Sequence, residues 1–180
     1  MIENWLVKIN VGDVQPFEDA LNNSITKTKD VTGTTSAIGP NTKQLNLWGG
    51  DEYAQHLIDH IKTIKGDNIS KINFNNLIRI VAWIVEGQEH SYHMLHRHSA
   101  EGDEHIVNNQ NISTVLFLDI PKSGGEFYFV KEKPTGTRAH FIKPEKGDLL
   151  IFPWSLYHGV YPQGPGLRRT VNLDFIFSER

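Results

Sequence analysis

The sequence has no cysteine among its 180 residues. It can therefore form no disulfide, no cysteine-bound zinc or iron–sulfur site and no thiolate nucleophile. Any bound metal must be held by nitrogen and oxygen atoms. Long hydrophobic runs are also missing, because the longest, at residues 80–85 and 115–118, are too short to cross a bilayer. The first residues lack the basic start and apolar stretch of a signal peptide, so we expect a cytoplasmic protein without membrane contacts.

Charge of one sign is not in excess. The 18 basic and 21 acidic side chains give a formal net charge of −3, and no run is rich in lysine or arginine. This balance argues against a nucleic-acid-binding face. With 38% hydrophobic residues the chain can bury one core of ordinary size. We therefore expect a single domain spanning residues 1–180.

The N-terminal part of the chain is polar, and helical spacing of apolar residues appears in two places. Residues 16–25 form one predicted helix and residues 51–65 a second, with a loop predicted at 26–43. Because no strand pattern is evident before residue 77, we expect residues 1–76 to be a helical support region.

From residue 77 onward, short β-branched and aromatic runs alternate with Gly, Pro and Asn. The predicted strands are residues 77–85, 113–120, 126–130, 139–142, 148–152, 157–160 and 169–177. Seven closely spaced strands after two helices predict a mainly β protein, an antiparallel sandwich or jelly roll, with N-terminal helices on one side. Residues 77–180 are the expected β core.

Histidine is concentrated in one segment. Five of the nine histidines fall within sixteen residues, at positions 90, 93, 96, 98 and 105. In a strand, His96 and His98 would share one face, and neutral imidazole binds iron, zinc, copper and nickel. The alternative is a solvated histidine-rich loop that binds nothing. Acidic residues follow directly, at Glu101, Asp103 and Glu104, and can supply a carboxylate.

A second segment joins an apolar strand to a lone histidine and a later arginine. Residues 148–152 lead into a turn, His158 begins the next strand, and Arg168 follows ten residues later. Taken alone, this pattern also fits a hairpin with a structural histidine and a surface arginine. A closed barrel or jelly roll would bring His158 to the His96 and His98 pair. Trp154 is a candidate for the wall of such a pocket.

Six motifs in this order resemble the iron(II)- and 2-oxoglutarate-dependent dioxygenases of the prolyl-hydroxylase-like kind. They are His-x-His, Ser-Thr-Val-Leu-Phe-Leu, Ser-Gly-Gly-Glu-Phe, Pro-x-x-Gly-Asp-Leu-Leu-Ile-Phe-Pro, His-Gly-Val-x-Pro and Gly-x-Arg-x-Thr. The resemblance covers roughly residues 80–177. It implies a double-stranded β-helix (jelly roll, cupin-like) with His158 as the distal metal ligand and Arg168 as the anchor of the 2-oxoglutarate carboxylate. Thr170 falls where the family often has an assisting hydroxyl.

The sequence departs from the family at one position, because His98 stands where the pattern has an acidic residue. The favoured ligand set is His96, His98 and His158. Two alternatives stay open: Asp103 or Glu101 supplies a carboxylate, or the pair is His93 with a later residue.

The resemblance implies an enzyme that hydroxylates a peptidyl or small-molecule substrate and releases succinate and CO₂. The implied cofactors are iron(II) and the cosubstrate 2-oxoglutarate, with ascorbate as an optional reductant. The rival hypothesis is a non-catalytic or cupin-like domain that binds a metal or small acid without using a 2-oxo acid. Arg168 favours the oxygenase, since the rival needs no cation at that position.

Overall fold

The computed structural model describes residues 6–24, 28–32, 37–47, 51–98, 110–133 and 136–178. Eleven strands and two α-helices are present in these residues. In chain order they are β1 (Val7–Asn10), α1 (Gln15–Ser24), β2 (Thr28–Asp30), β3 (Thr42–Leu47), α2 (Asp51–Thr63), β4 (Leu77–Gly87), β5 (His93–His96), β6 (Ile112–Asp119), β7 (Phe127–Lys133), β8 (Gly136–Ile142), β9 (Asp148–Pro153), β10 (His158–Val160) and β11 (Arg168–Phe177).

The strands form two antiparallel sheets. The larger sheet has the order β1-β9-β6-β11-β4-β3-β2, and the smaller has the order β5-β10-β7-β8. Several neighbouring strands are far apart in sequence, as when β11 pairs with both β4 and β6. This is the expected mainly β, double-stranded β-helix with N-terminal helices, so the predicted fold class is confirmed.

Two hydrophobic cores lie on opposite sides of the larger sheet. One contains the buried faces of both helices, including Phe17, Tyr53 and Leu57, packed against one face of that sheet. The other lies between the two sheets and is largely aromatic, with Phe117 and Phe152 among its members. The helices therefore cover one face of the larger sheet, and the other face is left for the interior of the jelly roll.

Both predicted helices and all seven predicted strands are confirmed, with bounds shifted by a few residues. The predicted loop at residues 26–43 is wrong at β2 and at the start of β3. Residues 1–76 are also more than a helical support, because β1, β2 and β3 all belong to the larger sheet. β3 is hydrogen-bonded to β4 across the expected boundary at residue 77.

Apolar and polar residues alternate along strand β11. Its residues Val171, Leu173 and Phe175 face the helices and are fully buried. The residues that alternate with this apolar row are polar and also buried; they are Arg168, Thr170, Asn172 and Asp174. Because alternate residues of a strand point to opposite faces, this row of four polar side chains lies along the interior of the jelly roll.

No helix in the described part of the chain is long and apolar enough to cross a membrane. The cytoplasmic location expected from the sequence stays a prediction.

Candidate active site

A cavity of about 270 Å³ lies between the two sheets. Its floor is formed by the inward-facing residues of β4 and β11, and one wall by β5 and β10 of the smaller sheet. Apolar and aromatic side chains such as Trp83, Phe117 and Phe127 alternate there with histidines and with Arg168. No carboxylate of the described residues lines this cavity.

Three histidines meet at one end of the cavity. His96 on β5 and His158 on β10 are directly paired across the two strands, and His98 follows β5. The ring centroids are 4.3 Å apart for His96 and His158 and 4.9 Å apart for His98 and His158. One ligand atom from each histidine lies within 4.8 Å of the others, a grouping that could hold a metal ion.

Each of the three rings has its Nδ1 atom fixed by an acceptor. Nδ1 of His96 lies 2.8 Å from the carbonyl oxygen of Met94, and Nδ1 of His158 lies 2.8 Å from that of Leu156. Nδ1 of His98 lies 2.8 Å from a carboxylate oxygen of Asp174. A carbonyl or carboxylate can only accept, so each Nδ1 carries the proton. In a neutral ring with its proton on Nδ1, the lone pair on Nε2 is the one that can coordinate a metal.

The ring of His158 is held in an aromatic setting. It stacks on Phe127 at an interplanar angle of 8° and a centroid distance of 5.4 Å, and it meets Phe152 edge to face at 4.9 Å. Burial lowers the pKa of His158 well below its ordinary value, and burial also lowers the pKa of His96. Both imidazoles are therefore neutral near pH 7, the form that binds metal.

The expected geometry of the His-x-His pair needs one correction. β5 ends at His96, so His98 is not a strand neighbour of His96. It is placed instead by its backbone N–H, which donates to the carbonyl oxygen of Trp154 at 3.0 Å. The alternative carboxylates of Glu101 and Asp103 lie outside the described residues.

Arg168 lines the same cavity and brings a positive charge to it. It begins β11, is only 1% exposed, and neither Nη1 nor Nη2 has a hydrogen-bond partner in the described structure. Burial lowers its pKa to about 10, so the guanidinium is still protonated at pH 7. A buried cation without a counter-charge is costly, and the cost is recovered when an anion binds. The unpaired fork therefore indicates an anionic ligand, and its planar geometry matches a carboxylate.

A buried hydrogen-bonded clamp lies beside Arg168. The amide of Gln163 donates to the carbonyl oxygens of Gly87 and Gly166, and its oxygen accepts from the hydroxyl of Ser91 at 2.8 Å. Gly87 is opposite Arg168 on β4. The clamp joins the segment that leads into β11 to the end of β4, and so fixes where β11 begins.

Thr170 is the next inward-facing residue on β11. Its hydroxyl oxygen accepts a hydrogen bond from the side-chain amide of Asn172 at 3.2 Å. The hydroxyl proton of Thr170 is then available for a ligand in the cavity. The structure thus brings Arg168 and Thr170 to one wall of the same cavity.

His93 lies in the cavity but not in the histidine group. Its Nε2 atom is buried and has no partner in the described structure. Burial, with a smaller effect of the Arg168 charge, lowers the pKa of its imidazole to about 3. The metal-binding group of the described residues does not contain His93, so the alternative pair with His93 is not supported.

Sequence reasoning missed several residues of the site and misplaced one. Trp83 lines the cavity and meets His98 edge to face at 5.2 Å, whereas Trp154 does not line it. Asn172 and Asp174 were also missed. Both continue the alternate row that starts at Arg168 and Thr170, so strand periodicity alone could have placed them on the inner face.

The three histidine nitrogens fit a transition-metal centre. Three imidazole ligands suit first-row transition metals, and they leave positions of an octahedral ion open for other ligands. The unpaired guanidinium in the same cavity fits a ligand that reaches from the metal to Arg168. A short dicarboxylate has that form.

The chain is similar in fold to several proteins of known structure. It matches no protein-family profile and no curated protein sequence. Solved structures do match. A prolyl-4-hydroxylase from Pseudomonas putida is similar over 98% of this chain and 95% of its own, with 16% identity and a TM-score of 0.65.

Two further structures have the same fold. A prolyl hydroxylase from Trichoplax adhaerens, in complex with a hypoxia inducible factor peptide fragment, is 16% identical with a TM-score of 0.62, over 97% of this chain and 84% of that one. HygX from Streptomyces hygroscopicus, with nickel, 2-oxoglutarate and hygromycin B bound, is 12% identical with a TM-score of 0.60, over 96% and 82% of the two chains. The chain therefore has the fold of the 2-oxoglutarate- and iron(II)-dependent oxygenases.

Proposed function

We propose that the protein is an iron(II)- and 2-oxoglutarate-dependent oxygenase that hydroxylates a substrate and releases succinate and CO₂. One observation carries the proposal. A buried guanidinium whose two Nη atoms have no hydrogen-bond partner in the described structure shares one cavity with three histidines whose ligand atoms lie within 4.8 Å of one another. The metal-bound, 2-oxoglutarate-bound state of a protein with the same fold supports it.

In this proposal His96, His98 and His158 hold iron(II) through Nε2. The hydrogen bonds at Nδ1 keep the three rings in the tautomer that the metal needs, so little reorganisation is required on binding. The aromatic rings around His158 restrict its rotation and exclude water from one side of the centre.

Arg168 binds the carboxylate of 2-oxoglutarate that is remote from the metal, through the two unpaired Nη atoms. Thr170 donates its hydroxyl proton to the same carboxylate. His93, neutral at pH 7 because of its lowered pKa, presents its unpartnered Nε2 to the cavity as a further polar contact. Anchoring both ends of the cosubstrate fixes its orientation.

When bound at this site, iron(II) and 2-oxoglutarate would supply O₂ activation coupled to oxidative decarboxylation of the 2-oxo acid, with one oxygen atom of O₂ ending in succinate and the other in the hydroxyl group of the product. The apolar walls around Trp83 and Phe117 limit the access of water. Similar folds hold a peptide fragment in one case and hygromycin B in another, so the proposed substrate is peptidyl or a small molecule.

The first experiment measures succinate formed from 2-oxoglutarate with added iron(II), ascorbate, air and no other substrate. Uncoupled turnover above that of the metal-free protein is expected, and it should be lost in His158→Ala. Binding of 2-oxoglutarate to the nickel-loaded protein is measured in parallel by calorimetry. A protein that binds nickel but neither binds nor decarboxylates 2-oxoglutarate would be a cupin-like metal-binding domain instead.

A further inference from the structure

The three histidines differ in what holds them. His96 and His158 donate to peptide carbonyls, whereas His98 donates to the carboxylate of Asp174 at 2.8 Å. The hydroxyl of Ser113 donates to the same carboxylate oxygen at 2.6 Å. Asp174 and Ser113 are directly opposite on β11 and β6, so the strand register places this group behind His98.

Asp174 is a buried charge with an unusual partner. It is 7% exposed, and the only ion pair that it forms in the described structure is with His98. A buried carboxylate is costly unless positive charge lies near it. No lysine or arginine of the described residues provides that charge. A metal cation on Nε2 of His98 would lie on the far side of the same ring and would provide it.

A carboxylate behind a ligating imidazole acts differently from a carbonyl. It makes a stronger, charge-assisted hydrogen bond, and it makes the imidazole a more basic ligand. The negative charge of Asp174 thus acts on the metal centre through the ring of His98, without direct contact with the metal. His98 stands where the sequence pattern of the 2-oxoglutarate-dependent dioxygenases has an acidic metal ligand. No carboxylate of the described residues lines the cavity.

We propose that Asp174 is a positioning residue that, through His98, supplies the negative charge of the metal centre. The inference rests on the proposed metal site. It extends that site by explaining how three neutral imidazoles can bind a divalent ion without a carboxylate ligand. Asp174 holds the ring of His98 with Nε2 toward the ion and offsets part of the ion's charge through the ring.

The test measures cobalt(II) affinity by visible absorption titration, a readout that needs no turnover. Asp174→Asn keeps the shape of the side chain and removes its charge. We expect it to weaken cobalt binding by roughly 10- to 100-fold. The matched control is Asp148→Asn, because Asp148 is a buried carboxylate on β9 that pairs with Lys8 at 2.8 Å, away from the cavity. Cobalt affinity should be unchanged in that variant.

A double-mutant cycle with His98→Asp makes the test specific for the His98 contact. In His98→Asp the metal gains a direct carboxylate and Asp174 loses its partner. Asp174→Asn should then cost less than about threefold, or should tighten binding by removing a repulsion. An equal loss in both backgrounds, or wild-type affinity in Asp174→Asn alone, would overturn the proposal.

A further measurement uses the wild-type protein and therefore does not depend on whether the variants fold. In the zinc-loaded protein, the Nδ1 proton of His98 should resonate downfield of those of His96 and His158, because its acceptor is a carboxylate. Three equivalent resonances would also overturn the proposal. Failure of the metal site itself is recognised separately, because wild type would then bind no more cobalt than His158→Ala.

Discussion

Gly87 and Arg168 lie directly opposite each other on β4 and β11, and the missing Cβ of the glycine makes room for the arginine. A Cβ at Gly87 would overlap the hydroxyl oxygen of Ser91. It would also lie 2.8 Å from the amide oxygen of Gln163 and 3.2 Å from Nη2 of Arg168. The close packing of the clamp and the guanidinium therefore depends on a glycine at this position.

Gly87→Ala should displace the clamp and Arg168 without touching the histidines. We expect roughly tenfold weaker 2-oxoglutarate binding, which corresponds to about 1.4 kcal/mol, and unchanged nickel affinity. Calorimetry on the nickel-loaded protein measures both. Gly66→Ala is the control, because a Cβ at Gly66 would meet no atom within 4 Å. Unchanged cosubstrate affinity in Gly87→Ala would show that Arg168 does not depend on the clamp.

Arg168→Ala should weaken binding of 2-oxoglutarate by roughly 30- to 150-fold, because a charge-assisted bidentate pair contributes about 2 to 3 kcal/mol. Arg168→Lys should recover only part of the loss, since lysine acts as a point charge. Arg169→Ala is the matched control. Arg169 points to the other face of β11, where it pairs with Glu18 and Asp119. If Arg168→Ala binds 2-oxoglutarate as wild type does, the anion ligand is something else.

Metal analysis should find about one divalent ion per chain in wild type and none in His158→Ala, since His158 is the most deeply buried of the three histidines. His98→Asp should keep or raise succinate formation, because it restores the usual carboxylate, while His98→Ala should weaken metal binding. The contrary pattern is a silent His98→Ala with damage in Asp103→Ala or Glu101→Ala. That result would assign the third ligand to a carboxylate.

Most of the fold from β4 onward could be predicted because its strands carry local signals, whereas β5, two of whose four residues are histidines, was not among the predicted strands. Apolar and aromatic residues fill both buried faces of strands such as β6 and β9, and Gly and Pro mark the turns between them. β3 was missed for a physical reason. Its residues Gln44 and Asn46 face the cavity and alternate with Leu45 and Leu47 on the helix side, so the polar and apolar alternation spans only four residues. β2 has only three residues and no alternation to detect.

The site was predictable only in part for a similar reason. His158 and Arg168 are recognisable because their motif is local in sequence. Asp174 is 76 residues from His98, and the two meet through the pairing of β11 with β6 and the hydrogen bond from the His98 backbone N–H to the carbonyl oxygen of Trp154. Contacts between residues so far apart in sequence depend on how the strands pair in the folded protein, and a short sequence motif does not contain that information.

The stability of the metal-free protein should fall as the pH drops below about 6.5. The pKa of His93 is lowered to about 3, and burial also lowers the pKa of His96 and His158. In the unfolded chain these imidazoles take up protons near pH 6.5, whereas in the folded protein their lowered pKa values keep them neutral at that pH. The unfolded state therefore binds more protons below that pH, and the free energy of unfolding rises with pH through this range. His93 makes the free energy of unfolding depend on pH between about pH 6.5 and about pH 3.

Each such histidine contributes a slope that approaches about 1.4 kcal/mol per pH unit. His93→Gln should therefore flatten the dependence of the free energy of unfolding on pH between pH 6 and 5 by close to that amount, measured by urea unfolding with a chelator present. His140→Gln, at an exposed position on β8, is the control and should keep the wild-type slope. Divalent metal should reduce the acid sensitivity, because an ion on His96 and His158 stabilises the folded state by mass action. An unchanged slope in His93→Gln would mean that His93 takes up its proton in the folded protein.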